Sequence, residues 1–116
     1  MWEGNDELLV DRLIHEPARL AIMTVLSSVQ AADFVFLQRT TGLSKGNLSS
    51  HLTRLDEAGL VRIVKTFVQK KPHTSVELTP EGRKRITNHW VQLERLKSLS
   101  QNPTGTPQAE PGKSAG

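Results

Sequence analysis

The chain of 116 residues has no cysteine and no tyrosine, and only three phenylalanines and two tryptophans. Without cysteine there is no disulfide framework, no thiolate metal site and no cysteine nucleophile. Its apolar runs are five residues or fewer, far below the roughly 20 needed to span a bilayer, so no transmembrane helix is expected. No charged-then-apolar leader precedes the polar stretch Glu3 to Glu7, which predicts a cytoplasmic protein. No internal repeat is visible.

Proline and glycine are not spread evenly. The last sixteen residues, Gln101 to Gly116, hold three of the six prolines and three of the eight glycines, with Ala109 and Ala115 as their only apolar groups. This composition predicts a disordered tail over 101–116 and one domain over 1–100, enough for a single hydrophobic core. The net charge of +3 divides unevenly as well. Residues 1–33 carry six acids and two bases, −4; residues 34–100 carry twelve bases and five acids, +7; the tail has one of each. A basic segment of that kind suits a polyanion, though it also suits an ordinary solvated surface.

Periodicity then orders the elements. Leu8, Leu9, Leu13 and Ile14 fall on one helical face and the pattern stops near His15, because Pro17 disfavours a helical residue before it. Pro17 opens a second helix whose Leu20, Ile22, Met23, Val25, Leu26 and Val29 are apolar nearly all round, as in a central helix. Asp33 caps a short helix over 34–41, and Gly42 stands where a left-handed residue would end it. Ser44 caps the next helix, in which Leu48, Leu52 and Leu55 make one narrow stripe before Gly59 closes it. From Val61 the period becomes 2, giving a strand through Val61, Ile63 and Phe67, a polar stretch over 69–74, and a short strand over 75–78. Thr79-Pro80-Glu81 supplies a capping hydroxyl, proline at the first helical position and an acid in the first turn, so a long last helix runs to about Ser100. The fold class is mainly α with a small β-hairpin.

The helix after Ser44 has the surface that a DNA groove asks for. Opposite its leucine stripe lie Gly46, Asn47, Ser49, Ser50, Thr53 and Arg54, with Lys45 beside them and no acid from Leu43 to Leu55. Short donors and acceptors let a helix approach base edges, and the bases reach phosphate or guanine. Lys65 and the hairpin tip Lys70, Lys71 and His73 would hold flanking backbone and make affinity salt-dependent. Lysines at a hairpin edge also guard against aggregation. Positive charge is thus concentrated on this helix, the hairpin and the following turn, Arg83 to Arg85.

Several stretches carry a resemblance. LSKGNLSSHLTRLDEAGLV at 43–61 resembles the recognition-helix region of MarR- and ArsR-like bacterial transcriptional regulators. HEPARLAIMTVL at 15–26 is similar to the opening of the ArsR-type core, and LTPEGR at 78–83 to the junction between wing and helix in MarR-like chains. Together they cover about residues 8 to 98. The resemblance implies a winged helix-turn-helix fold and a DNA-binding transcriptional regulator acting as a homodimer on duplex operator DNA. Its dimer would form through the terminal helices, with Trp2, Leu9, Leu13, Ile86, Trp90, Leu93 and Leu96 as interface residues. Ile86 and Trp90 have a second use, folding back on the chain's own core. The resemblance also allows a small-molecule effector, for which no residue here names a ligand. The competing class is a winged-helix module that binds protein without DNA.

Catalysis and metal binding have little behind them. No serine-histidine-acid arrangement, glycine-rich phosphate loop or close carboxylate pair stands out, so no enzyme and no cofactor are expected. His15, His51, His73 and His89 fall on four separate elements without a helical His-x3-His pair, which argues against a metal site. His51 is expected to pack near the helix-turn-helix, and His89 to belong to a subunit interface.

Overall fold

A computed structural model describes residues 11–101. Its elements are α1 (Pro17–Ser27), β1 (Ala32–Asp33), α2 (Phe34–Thr41), α3 (Lys45–Glu57), β2 (Val61–Val68), β3 (Lys71–Leu78) and α4 (Pro80–Gln101). Of the helix expected over Leu8 to His15, residues 8–10 lie outside the described residues, and the remaining five positions form no helix. Its end is seen as a turn over Arg12 to Ile14, where the His15 amide donates to the Asp11 carbonyl at 2.7 Å. The tail expected from Gln101 also lies outside them, except that Gln101 itself closes α4.

The caps form where the side chains dictate. Glu16 accepts from the Arg19 amide ahead of Pro17, Asp33 from the Phe36 amide at 2.7 Å, and Ser44 from the Asn47 amide at 3.2 Å. Each satisfies one of the amides that a helix start leaves without a partner. Gly42 and Gly59 end α2 and α3 with φ of 76° and 78°, a left-handed conformation that a side chain would strain.

Helices α1, α2 and α3 pack their apolar faces together and against the base of the sheet. Ile14, Ile22, Met23, Leu26, Leu37, Leu48, Leu52, Leu55, Leu60, Val61, Val76, Leu78 and Ile86 form one buried core. Each such side chain contributes about 1.5–3 kcal/mol by leaving water. α1 supplies three of them and touches the sheet and every other helix, which is the central role its all-round apolarity predicts.

The sheet departs from the simple hairpin. It has three strands in the order β1-β3-β2, with Ala32 and Asp33 pairing antiparallel to Val76 and Ser75. β3 begins at Lys71, four residues earlier than expected. Val68 pairs with Lys71, so the connection is the two residues Gln69 and Lys70, with φ of 53° and 67°. Two successive positive φ values are what a tight turn matched to strand twist requires. Pro72 does not interrupt the strand, because β1 reaches only Ser75 and Val76 and leaves the edge open beside it.

A tight junction joins the end of α3 to the start of α4. The Thr79 hydroxyl donates to the Gly59 carbonyl at 2.6 Å and accepts from the Gly82 amide at 2.9 Å. The Thr79 amide donates to the Leu60 carbonyl. Gly82 lies so close to Leu60 that a Cβ there would run into the Leu60 carbonyl oxygen. The start of α4 is thereby fixed relative to α3 and the wing.

Candidate nucleic-acid interface

The leucine stripe of α3 fixes which residues face outward. Leu48, Leu52 and Leu55 are buried, while Lys45, Gly46, Asn47, Ser49, Ser50, Thr53 and Arg54 are exposed. Ser44 lies at the N-terminus with its hydroxyl oxygen engaged as the cap, and Thr53 donates to the Ser49 carbonyl at 3.0 Å. His51 turns the other way. The Arg19 guanidinium lies 3.2 Å from its Nδ1 and also donates to the Leu13 carbonyl at 2.6 Å, so α3 is tied to the N-terminal side of α1.

β2 and β3 alternate, and one face of the wing turns toward α3. On it Ile63 is half-buried, and Lys65 is exposed beyond it. Together with α3 and the start of α2 this face encloses a cleft of about 510 Å³. Lys45, Ser49 and Thr53 line it from the helix, and Lys65, His73 and Thr74 from the wing. Two cationic side chains thus flank a shallow opening whose floor includes Leu52 and Ile63. The carboxylate in the same cleft, Asp33, is engaged by the Phe36 amide as the α2 cap.

Five sequence-predicted site residues therefore meet in the cleft: Lys45, Ser49, Thr53, Lys65 and His73. Gly46, Asn47, Ser50 and Arg54 occupy the rest of the outward surface of α3, and Lys70 and Lys71 are exposed at the wing tip. Phe34, Val35, Ile63 and Pro72 also line the cleft and were not expected there. The period of 2 that places Lys65 on the α3 side places Ile63 there too, so that signal was present.

The basic turn after the wing does not join this face. Arg83 reaches the Ser27 carbonyl at the end of α1 at 3.3 Å, and Arg85 pairs with Asp11 at 2.7 Å and 3.3 Å. Burial pushes the Asp11 carboxyl up, but the hydrogen bonds and charge of Arg85, with the Ile14 and Leu13 amides, outweigh it. The group stays below the ordinary carboxylate range. One helical turn further on, His89 is fully buried, and its Nε2 lies 3.3 Å from His15 Nδ1. His89 is therefore packed inside its own fold rather than offered to a second subunit. Burial, followed by the neighbouring His15, lowers its pKa from the ordinary imidazole value. The histidines are also less scattered than their spacing implied, since His15 and His89 meet across 74 positions. Among the described residues, no group of three or more histidines and carboxylates is placed to hold a metal ion.

The expected interface residues separate. Ile86 is 1% exposed and belongs to the chain's own core, which corrects its assignment to an interface. Leu13 and Leu93 are half-buried, whereas Trp90 is 40% and Leu96 37% exposed on α4. Trp2 and Leu9 lie outside the described residues.

A helix-turn-helix followed by a two-stranded wing, with β1 added at the edge of β3 and a helix locked to the wing's base, is the geometry of a known family, and the family model of the winged helix DNA-binding domain matches residues 18–97. The chain belongs to the winged helix DNA-binding domain family. Its match takes in every element from α1 through most of α4. Among solved structures, this winged helix is similar to the transcriptional regulator homologue protein from Pyrococcus horikoshii. The two are 30% identical with a TM-score of 0.74, over 84% of this chain and 96% of that one. A MarR-family transcriptional regulator from Silicibacter pomeroyi shares the fold at 23% identity and a TM-score of 0.60, over 91% of this chain and 66% of that one. An uncharacterized protein of Methanocaldococcus jannaschii is 26% identical over 85 residues, 73% of this chain and 92% of that protein. No helix of the described residues is long and apolar enough to cross a membrane.

Proposed function

We propose that the protein is a transcriptional regulator that grips duplex operator DNA as a homodimer, each copy laying α3 in the major groove and its wing on the flanking backbone. The observation that carries this reading is the convergence of Lys45, Ser49 and Thr53 from α3 with Lys65 and His73 from the wing on one open cleft. Ser50, Asn47 and Arg54 would read base edges from the outward face of α3, where no bulky side chain holds the helix away. Lys45, Lys65, Lys70 and Lys71 would supply phosphate contacts, which position the helix without choosing a sequence.

Two copies suit the task because one such helix reads only a few base pairs, and a two-fold pair doubles the site. The distal part of α4 supports the pairing: Trp90, Val91, Leu96 and Leu99 leave apolar surface in water beyond the last core residues. Arg85 and Asp11 hold the root of that helix to the N-terminal segment, so the two termini would act as one hub.

The test is to select duplexes from a random pool with the purified protein, sequence those retained, and measure the protein's mass by light scattering. Paired half-sites about one helical turn apart and twice the chain mass, shifted toward one by Trp90→Asp, are expected. A monomer at micromolar concentration contradicts the dimer, and an unenriched pool contradicts operator recognition.

A further inference from the structure

The wing carries one large side chain that neither the core nor the proposed phosphate contacts use. Phe67 is 75% exposed, the largest exposure among the big apolar side chains of the described residues. It lies on the face of β2 that turns toward α3, since Val61, Ile63, Lys65 and Phe67 alternate onto one side, and its partner across the ladder is Pro72, which lines the cleft. The face thus runs from buried Val61 through Ile63 and Lys65 to an apolar pair at the tip. Lys70 and Lys71 stand just beyond it, and no acid occurs between Glu57 and Glu77.

The spacing matches a duplex. Ile63 marks the cleft beside α3, and at roughly 3.3 Å per residue Lys65 lies about 7 Å and Phe67 about 13 Å further out, with the turn near 20 Å. From the middle of a major groove to the adjacent minor groove is about 17 Å, half of a turn of about 34 Å, with the phosphate backbone between. A wing of this length with α3 in the major groove places Lys65 over the backbone and Phe67 with the turn across the minor groove. We propose that Phe67, backed by Pro72, is an apolar wedge that enters the minor groove of duplex DNA and unstacks a base step, while Lys70 and Lys71 hold the phosphates on either side. Flexible pyrimidine–purine steps at that position would then be favoured without any hydrogen bond to a base.

This inference rests on the DNA-binding reading and deepens it. The experiment uses duplexes retained by the wild-type protein from a random pool, labelled at both ends with a donor and an acceptor dye. A fluorescent adenine analogue replaces an adenine at the wing position. Wild-type protein should shorten the end-to-end distance and brighten the analogue. Phe67→Ala should leave the circular dichroism and melting of the free protein unchanged, weaken binding about tenfold, and abolish both signals, whereas Phe67→Leu keeps most of each. Wild-type binding that Phe67→Ala matches in affinity, distance and brightness overturns the wedge and leaves the DNA reading standing. Failure of the wild type to retain any duplex at low salt overturns the DNA reading, and the wedge with it. A free protein whose mass falls on Phe67→Ala assigns the ring to contact between copies and also overturns the wedge.

Discussion

The α3–wing face and the root of α4 are both rich in charge, yet they use it in opposite ways. At the root of α4, Arg85 is bound to Asp11, Arg83 reaches a helix-end carbonyl, and His89 is buried against His15. On the α3–wing face Lys45, Arg54, Lys65, Lys70 and Lys71 are exposed. On the wing, Arg62 pairs with Glu77 at 2.7 Å, directly opposite it near the base. Basic residues that are dense along the sequence are therefore not by that alone available to a ligand. Arg83 to Arg85 is the densest basic run in the chain, yet half-buried Arg85 is held by Asp11 and exposed Arg83 bonds to the end of α1.

Both regions rest on the same core. Ile86→Ala should lower unfolding free energy by about 2–5 kcal/mol in denaturant melts, because it opens a cavity in the core. Ser50→Ala on the outward face of α3 should stay within about 0.5 kcal/mol. Equal losses would mean that α3's outer face is structural.

A smaller effect is expected from Arg54→Ala, which should weaken binding to a selected duplex about tenfold or more while leaving the melting temperature unchanged. Arg85→Ala should do the reverse, lowering stability with little change in intrinsic duplex affinity. A loss of stability in the first variant, or of duplex affinity alone in the second, would erase the distinction between the two regions.

Acid should weaken the root of α4 in two steps. The His89 pKa is depressed in the fold, so its contribution is fully present above the ordinary imidazole value near 6.5 and is lost as pH falls through the lower folded value. Asp11 is also depressed, so its contribution is present above the ordinary carboxylate value and is lost at still lower pH. Melting temperature should be flat above neutrality and fall in two stages, and His89→Gln should remove the first. A fall that His89→Gln leaves in place would show that the buried imidazole is not its source.

The smallest effect concerns the turn. Gln69 and Lys70 both hold positive φ, and Gln69→Asn should raise stability by about 0.5 kcal/mol by easing that strain, measured by thermal melts. A loss of stability would mean that the Gln69 side chain makes a compensating contact.

What could be read in advance follows the same division. Asp33, Gly42, Ser44, Gly59 and Thr79-Pro80 each impose a local geometry, and each stands where that geometry occurs. β1 could not be read, because two residues carry no period and it exists only through the edge of β3. The wing came out longer because Pro72 reads as an interruption until the open edge beside it is known. The meeting of His15 with His89 joins residues 74 positions apart, so composition and spacing carry no trace of it. Ile86 and Trp90 lie four residues apart on one predicted stripe, yet only the first reaches the core.

Phosphate binding by the exposed cations of the α3–wing face is the expectation on which the rest depends. Its most direct measurement is the affinity for a generic duplex by fluorescence anisotropy across a range of salt. A steep linear fall of log affinity with log salt is expected, with a slope reduced by about two when Lys70 and Lys71 are both changed to alanine. A flat dependence, or a slope that the double variant leaves unchanged, would contradict it.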